Sequence, residues 1–107
     1  MRANHVLGTL RNKPIRFVDE LRLCMLRVAL LQHFNVRTEA WEQFEPEGAT
    51  GVLVLAESHF SAHTYPETGD VYLDVFCCSD SFSPDACIAC IEEVFGAKGD
   101  WQVILRR

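Results

Sequence analysis

Long apolar segments are missing from this sequence of 107 residues, and so is the pattern of a secretory leader. The longest apolar stretch, Leu21 to Phe34, is interrupted by arginine, glutamine and histidine. It is shorter than the roughly 20 apolar residues that a membrane-spanning helix needs. The first residues show no apolar core followed by a small-residue cleavage site. We therefore expect a cytoplasmic protein with no membrane partner.

Glycine and proline are also scarce, with six and four residues, while 49% of the residues are hydrophobic. This composition excludes a disordered or fibrous chain. A chain of this length can bury enough surface to form one domain without a disulfide framework or a structural metal. The five cysteines are an odd number, so we expect thiols and not a full set of disulfides.

The net charge is −5, but the charges are unevenly placed. Residues 1–40 carry seven Lys/Arg and three Asp/Glu, whereas residues 41–107 carry three and twelve. A basic first third is one feature of nucleic-acid binding. Here the basic residues are spread over several predicted elements without interleaved aromatic residues, so we expect no nucleic-acid partner and a solvated or oligomer-facing surface instead.

Hydrophobic patterning predicts the order strand, helix, several strands, helix, strand. The predicted strands cover residues 5–10, 35–44, 50–56, 71–76 and 101–105, and the predicted helices cover residues 17–34 and 83–95. Residues 60–64 either continue the strand at 50–56 or begin another one. This order predicts an α/β fold, a two-layer α/β sandwich in which both helices cover one face of a mostly antiparallel sheet. The other face is then left open, which predicts a dimer or a larger assembly.

One segment near the middle of the chain carries groups suited to catalysis. Ser58, His63 and Cys78 offer a hydroxyl nucleophile, a titratable base and a thiol acid within twenty-one residues. Residue types alone do not decide the function, because serine, histidine and cysteine also occur together by chance in strands with a packed thiol. At this level both interpretations stay open.

The surrounding motifs resemble a known family. Glu57-Ser58-His59 follows a buried strand, His63-Thr64-Tyr65-Pro66-Glu67 comes five residues later, and Phe76-Cys77-Cys78 ends the next strand. These motifs are similar to those of the small prokaryotic S-adenosylmethionine decarboxylase proenzymes, pyruvoyl enzymes of polyamine and spermidine synthesis. The resemblance is strong over residues 44–80 and weak over residues 1–43.

The resemblance implies that the proenzyme cuts itself between Glu57 and Ser58, giving chains 1–57 and 58–107. Ser58 would become a pyruvoyl group, the self-generated cofactor, which forms a Schiff base with the substrate amine. No added cofactor and no metal would be needed. We also expect a homodimer of cleaved protomers, which agrees with the open sheet face expected above.

Two further catalytic roles follow from the resemblance. His63 would act as proton donor or acceptor in processing, with the hydroxyl of Thr50 beside it at the cleavage point. Cys78 would donate the proton to carbon after decarboxylation. A chain that keeps these residues together is less compatible with the alternative of a catalytically silent regulatory paralogue.

The resemblance also implies a substrate site for S-adenosylmethionine formed by Phe44, Tyr65 and Glu67. Tyr65 stands where the family usually has tryptophan, and Ser79 replaces the usual glycine after the catalytic cysteine. These departures leave open a related decarboxylase that acts on ornithine or arginine.

Strand geometry adds one constraint. Ser58 and His63 are five residues apart, so an unbroken strand would direct them to opposite faces. We therefore expect a bulge at Ser61-Ala62 to bring them together. By the same alternation, Cys77 and Cys78 face opposite ways.

Several other residues have competing interpretations. His59 adjoins the cleavage point, but alternation favours an ordinary core or surface histidine, and Asp74 is ambiguous. Cys87 and Cys90 lie one turn apart on the second predicted helix and are compatible with a zinc or redox pair. A zinc site would need a second matching pair, so buried thiols are the favoured interpretation.

Overall fold

A computed structural model describes residues 2–107 as one antiparallel sheet of six strands with two helices. The elements are β1 (Ala3–Leu10), α1 (Val18–Leu31), β2 (Val36–Gln43), β3 (Ala49–Leu55), β4 (Ser58–Tyr65), β5 (Asp70–Cys77), α2 (Pro84–Phe95) and β6 (Gly99–Arg106). The strand order is β2-β3-β4-β5-β1-β6. The predicted two-layer α/β sandwich is confirmed. Neither helix in residues 2–107 is long and apolar enough to cross a membrane.

Both helices pack on one face of the sheet and form the core with it. The apolar stripe of α1 buries Leu21, Met25 and Val28, as its three- and four-residue spacing predicts. Phe60 of β4 and Phe95 of α2 are among the largest fully buried side chains. The core therefore lies between the helices and one side of every central strand.

The two helices begin in different ways. Ser83 accepts a hydrogen bond from the backbone N–H of Ala86, and Gly96 ends α2 in the left-handed conformation; serine and glycine are favoured residues at these two positions. The first helix has no side-chain cap of its own. Instead, Gln43 of β2 accepts a hydrogen bond from the N–H of Val18 at 2.7 Å. Strand β2 therefore supplies the cap that local sequence lacks.

The second face of the sheet is not covered by any element of the described chain. Along β5, and along β4 from Phe60 onward, the residues on the helix side are buried, while those between them are half-buried or exposed. The exposed face carries large apolar side chains, namely Val54, Tyr65, Tyr72 and Ile104. An apolar sheet face of this kind is typical of an interaction surface.

The uneven charge of the sequence is compensated within the fold. Most of the basic residues of the first third contact acidic residues of this chain, in the pairs Arg11–Asp70, Arg11–Asp100, Lys13–Glu20, Arg16–Glu47 and Arg22–Glu39. Surface pairs of this kind add little stability. They do show that these cations are distributed among acidic neighbours and do not form one continuous basic patch.

The predicted bulge in β4 is wrong. The pairing of β4 with β3 and with β5 advances one residue at a time from Ser58 to Tyr65. Small residues at Ser61 and Ala62 are accommodated in regular strand geometry, because both neighbours hold β4 in register. The irregularity in the sheet lies instead in the edge strand β2, between Val36 and Thr38.

Candidate active site

A tight turn between β3 and β4 contains the predicted cleavage point. Leu55 pairs with Ser58, so the turn has only two residues, Ala56 and Glu57. Glu57 has a φ of 63°, in the left-handed region that glycine or asparagine usually occupies. A residue with a side chain is strained there by roughly 1–3 kcal/mol. The peptide that precedes Ser58 therefore follows the most strained residue of this hairpin.

Strand β5 ends beside this turn and holds the serine. The backbone N–H of Cys78 donates a hydrogen bond to Ser58 Oγ at 3.3 Å. The same end of the sheet encloses a cavity of about 280 Å³, lined by His33, Phe34, Asn35, Leu55, Ala56, Glu57, Ser58, Cys77, Cys78 and Ser79. The structure thus brings together three of the residues that the sequence singled out: Glu57, Ser58 and Cys78.

The two neighbouring cysteines have different surroundings, as the strand alternation predicts. Cys77 is buried on the helix side of the sheet, whereas Cys78 is half-buried just beyond the end of β5. Both cysteines line the cavity beside Ser58, and Cys78 is the more exposed of the two.

The other predicted residues form a second group toward the opposite end of β4. Thr50 and His63 are register partners, and a hydrogen bond of 2.6 Å joins Thr50 Oγ1 to His63 Nδ1. The ring of Phe44 lies 5.8 Å from the His63 ring at an angle of 57°. Tyr65 ends β4 with an exposed side chain, and Glu67 is in the following turn. The expected base and the expected substrate-binding residues therefore share one region.

These two groups do not meet within one chain. Five residues of a regular strand separate Ser58 from His63, a distance of about 16 Å, and their side chains leave β4 on opposite faces. The expectation that Thr50 and His63 flank the cleavage point of the same chain is therefore wrong. It depended on the bulge that β4 does not contain.

A hydrogen-bonded cluster on the open face includes a residue that the sequence did not single out, His5. The Nε2 atoms of His5 and His59 lie 2.9 Å and 3.1 Å from Asp74 Oδ2, and Ser61 donates to Asp74 Oδ1. Burial raises the pKa of Asp74, but the three hydrogen bonds outweigh it and hold the pKa below its usual value. The register of β1, β4 and β5 places His5 beside Asp74. Residue spacing along the chain therefore could not predict this cluster.

The cysteines of α2 are thiols. Cys87 is fully buried and Cys90 half-buried. Burial raises the pKa of Cys90, and it raises that of Cys87 to about 12. Within residues 2–107 no cysteine belongs to a group of ligands that could hold a metal ion. The geometry therefore favours the buried-thiol interpretation over a zinc pair.

A solved structure with the same architecture defines the class of protein. The adenosylmethionine decarboxylase from Aquifex aeolicus VF5 superposes with a TM-score of 0.86 at 29% identity, over 95% of this chain and 88% of that one. The antiparallel sheet with its two helices is thus the fold of a known adenosylmethionine decarboxylase.

The family follows from the sequence comparison. The family model described as S-adenosylmethionine decarboxylase matches residues 7–107. The chain belongs to the S-adenosylmethionine decarboxylase family, as the motifs within residues 44–80 predict. Since members of this family are decarboxylases, the chain is an enzyme of that class.

Curated relatives agree with this assignment. An S-adenosylmethionine decarboxylase proenzyme of Thermoanaerobacter sp. (strain X514) is 37% identical over 89 residues, which are 79% of this chain and 72% of the relative. A protein of the same name from Caldanaerobacter subterraneus subsp. tengcongensis is 35% identical over 85 residues, 77% of this chain and 68% of the relative.

The cysteine environments predict an order of chemical reactivity. Iodoacetamide applied to the folded chain at pH 8 should modify Cys78 well before Cys87. The thiolate is the nucleophile, and a pKa of about 12 in place of 9.0 leaves Cys87 roughly a thousandfold less ionised than an ordinary thiol. Peptide mass mapping against time measures both rates. In the unfolded chain, the control, all five cysteines should react alike; equal rates for Cys78 and Cys87 in the folded chain would contradict the placement.

Proposed function

We propose that the chain is a self-cleaving proenzyme of S-adenosylmethionine decarboxylase. Cleavage between Glu57 and Ser58 converts Ser58 into a pyruvoyl group, and the mature enzyme decarboxylates S-adenosylmethionine for spermidine synthesis. The observation that carries the proposal is the position of Ser58. It follows a strained residue in a two-residue turn, and the N–H of Cys78 holds its hydroxyl.

All of the bonds that change in cleavage lie at the Glu57–Ser58 junction. Ser58 Oγ attacks the carbonyl carbon of Glu57, the bond from that carbon to the Ser58 nitrogen breaks, and an ester replaces the amide. Removal of the Ser58 α-proton then expels the Glu57 carboxylate and leaves dehydroalanine. Water converts this group to a pyruvoyl ketone and releases ammonia. The atoms balance without any external reagent except water.

The strained turn supports the first step. An amide is more stable than an ester, so attack by serine is unfavourable unless the starting peptide is raised in energy. The left-handed conformation of Glu57 raises the energy of the uncut peptide by roughly 1–3 kcal/mol. Opening the chain at this point relieves that strain.

Cleavage at the turn leaves the fold intact. The cut separates residues 1–57 from 58–107, but β3 and β4 remain joined by their ladder from Thr50–His63 to Leu55–Ser58. Strand β4 also pairs along its length with β5. We therefore expect the two fragments to stay together as one domain.

The residues around Ser58 fit a pyruvoyl group. Its ketone supplies an electron sink for decarboxylation once it is formed. Ser58 begins β4, Cys78 directly follows the adjacent strand β5, and both residues line the cavity, where the Cys78 side chain is half-buried. Cys78 is accordingly the acid that returns a proton to carbon.

The separation of His63 from Ser58 favours a homodimer with shared sites. A two-fold axis through the middle of β4 would place two open sheet faces together with their strands reversed. The His63 end of one chain would then lie over the Ser58 end of its partner. Such packing also covers the exposed apolar face described above. Because the Ser58 side chain leaves β4 on the helix side, each site would form at the end of the sheet, where the Glu57–Ser58 turn and Cys78 of one chain meet Thr50 and His63 of the other.

The second group of residues suits the proposed substrate. Phe44 offers an aromatic face for adenine, the exposed ring of Tyr65 lies at the same end, and Glu67 offers a carboxylate for ribose hydroxyls. All three lie at the His63 end of the sheet. The reacting group and the nucleoside pocket of one site would therefore come from different protomers.

Self-cleavage predicts a change in mass. The purified chain should separate under denaturing conditions into fragments 1–57 and 58–107, the second resistant to Edman degradation because its first group is a ketone. Ser58→Ala should remain whole, since it lacks the attacking hydroxyl, whereas the control Ser81→Ala should cleave normally. Intact mass spectrometry distinguishes these results. Cleavage of the Ser58→Ala chain would refute the mechanism.

Shared sites predict complementation between two inactive chains. Ser58→Ala and His63→Ala should each fail to cleave alone. Co-expressed, they should form heterodimers in which one site combines the intact Ser58 of one chain with the intact His63 of the other. About a quarter of all sites should then be active if the chains mix at random. Fragment 58–107 from the His63→Ala chain identifies this product by mass; a mixture with no cleavage would exclude sites shared in this way.

Substrate choice is measured by release of labelled CO₂. The mature protein should release it from carboxyl-labelled S-adenosylmethionine and not from ornithine or arginine. Cys78→Ala should still cleave, because the hydrogen bond to Ser58 comes from the backbone of residue 78, but should lose activity by a factor of about 100 or more. Cys90→Ala is the matched control and should keep full activity. Release from ornithine or arginine alone would reverse the substrate assignment.

A further inference from the structure

Two histidines and an aspartate converge on the open face of the sheet. They come from three adjacent strands, His5 from β1, His59 from β4 and Asp74 from β5. His59 leaves β4 on the face opposite Ser58, so the cluster is separate from the hydroxyl that starts cleavage. One ligand atom from each residue lies within 4.8 Å of the other two.

We propose that His5, His59 and Asp74 form a binding site for a divalent transition-metal ion, with Zn²⁺ the best match. Zinc takes imidazole nitrogen and carboxylate oxygen at about 2.0–2.2 Å, and three protein ligands with one open position are a common arrangement. Ligand atoms around such an ion lie about 3.3–3.5 Å apart for tetrahedral geometry. The observed separations of 2.9 Å and 3.1 Å from Asp74 Oδ2 to the two imidazoles need to widen by only a few tenths of an ångström.

Neighbouring side chains orient these ligands. Ser61 donates a hydrogen bond to Asp74 Oδ1, which leaves Oδ2 directed at the two imidazoles. The Phe76 ring stacks on His59 at 5.7 Å and 9°, and meets the edge of His5 at 5.5 Å and 85°. Contacts of this kind restrict ring rotation, as the outer partners of metal sites do.

In the single chain, before the proposed homodimer covers the open face, the site is accessible to an ion from solvent. The side chains of His5, Asp74 and His59 are 16%, 24% and 43% exposed, all on the uncovered face. The cluster supplies one carboxylate and two imidazoles, a set that selects a transition metal and not Mg²⁺, which prefers oxygen ligands.

A bound ion would connect the three central strands and fix the start of β4. This role goes beyond the proposed function, because neither cleavage nor decarboxylation as written above uses a metal. The other interpretation of the same contacts is a hydrogen-bonded network, in which both imidazoles donate to Asp74 and no ion binds. The two interpretations differ in their response to added zinc.

The test is zinc binding by the full chain. After chelator treatment, the chain should take up one Zn²⁺ in competition with a chromophoric chelator, and Mg²⁺ should not compete. The uncleavable Ser58→Ala chain should bind zinc equally, so the result is independent of the proposed processing. Absence of zinc uptake would overturn the site in favour of the hydrogen-bonded network.

Variants and spectra locate the ion. Asp74→Asn and His5→Gln should weaken zinc binding about 100-fold or more, and Ser61→Ala about tenfold, whereas His33→Gln should bind normally. Imidazole NMR of the unaltered chain should show zinc-dependent shifts of His5 and His59 but not of His33. This measurement needs no variant, so it tests the site even if a substituted chain does not fold. Substituted Co²⁺ should show no thiolate charge-transfer band. Such a band, or unchanged affinity in Asp74→Asn and His5→Gln, would place the ion elsewhere and refute the proposal.

Discussion

The regular antiparallel pairing of β4 with both of its neighbours is the constraint on which the candidate site depends. Because β4 contains no bulge, its side chains alternate strictly between the helix side and the open side of the sheet. This alternation directs Ser58 toward one face and His63 toward the other. The same register places Thr50 opposite His63 and the end of β5 beside Ser58. The pairing of β4 with β3 and β5 therefore decides which side chains meet at each end of β4. Closeness along the chain does not.

This arrangement explains how strain and stability coexist in the hairpin. The ladder on both sides of β4 holds a two-residue turn closed although Glu57 adopts a left-handed conformation. The hydrogen bonds that hold β4 lie outside the turn, so a break after Glu57 removes strain without removing strand pairing. A chain built in this way can be cut once and keep its fold, which is the physical requirement for a proenzyme that matures in place.

The open sheet face connects the three proposals. It carries the Thr50–His63 pair, the apolar side chains expected at an interface, and the cluster of His5, His59 and Asp74. An interface on this face would bring His63 over the end of a partner's β4 at which Ser58 follows the turn. A metal ion in the cluster would fix the strands that form the interface. The helix face, by contrast, is occupied by the core and is unavailable for either role.

The sequence by itself determined the order of elements, the two-layer sandwich, the cap and end of α2, and the family, through motifs within residues 44–80. These features depend on local periodicity, turn residues and short spacings, all of which are visible along the chain. The tertiary structure alone decided that β4 is unbroken, that Ser58 and His63 are apart, that Gln43 caps α1, and that His5 joins Asp74. Each of these depends on the register between strands distant in sequence, and register is fixed by cross-strand hydrogen bonds and core packing that no single segment encodes.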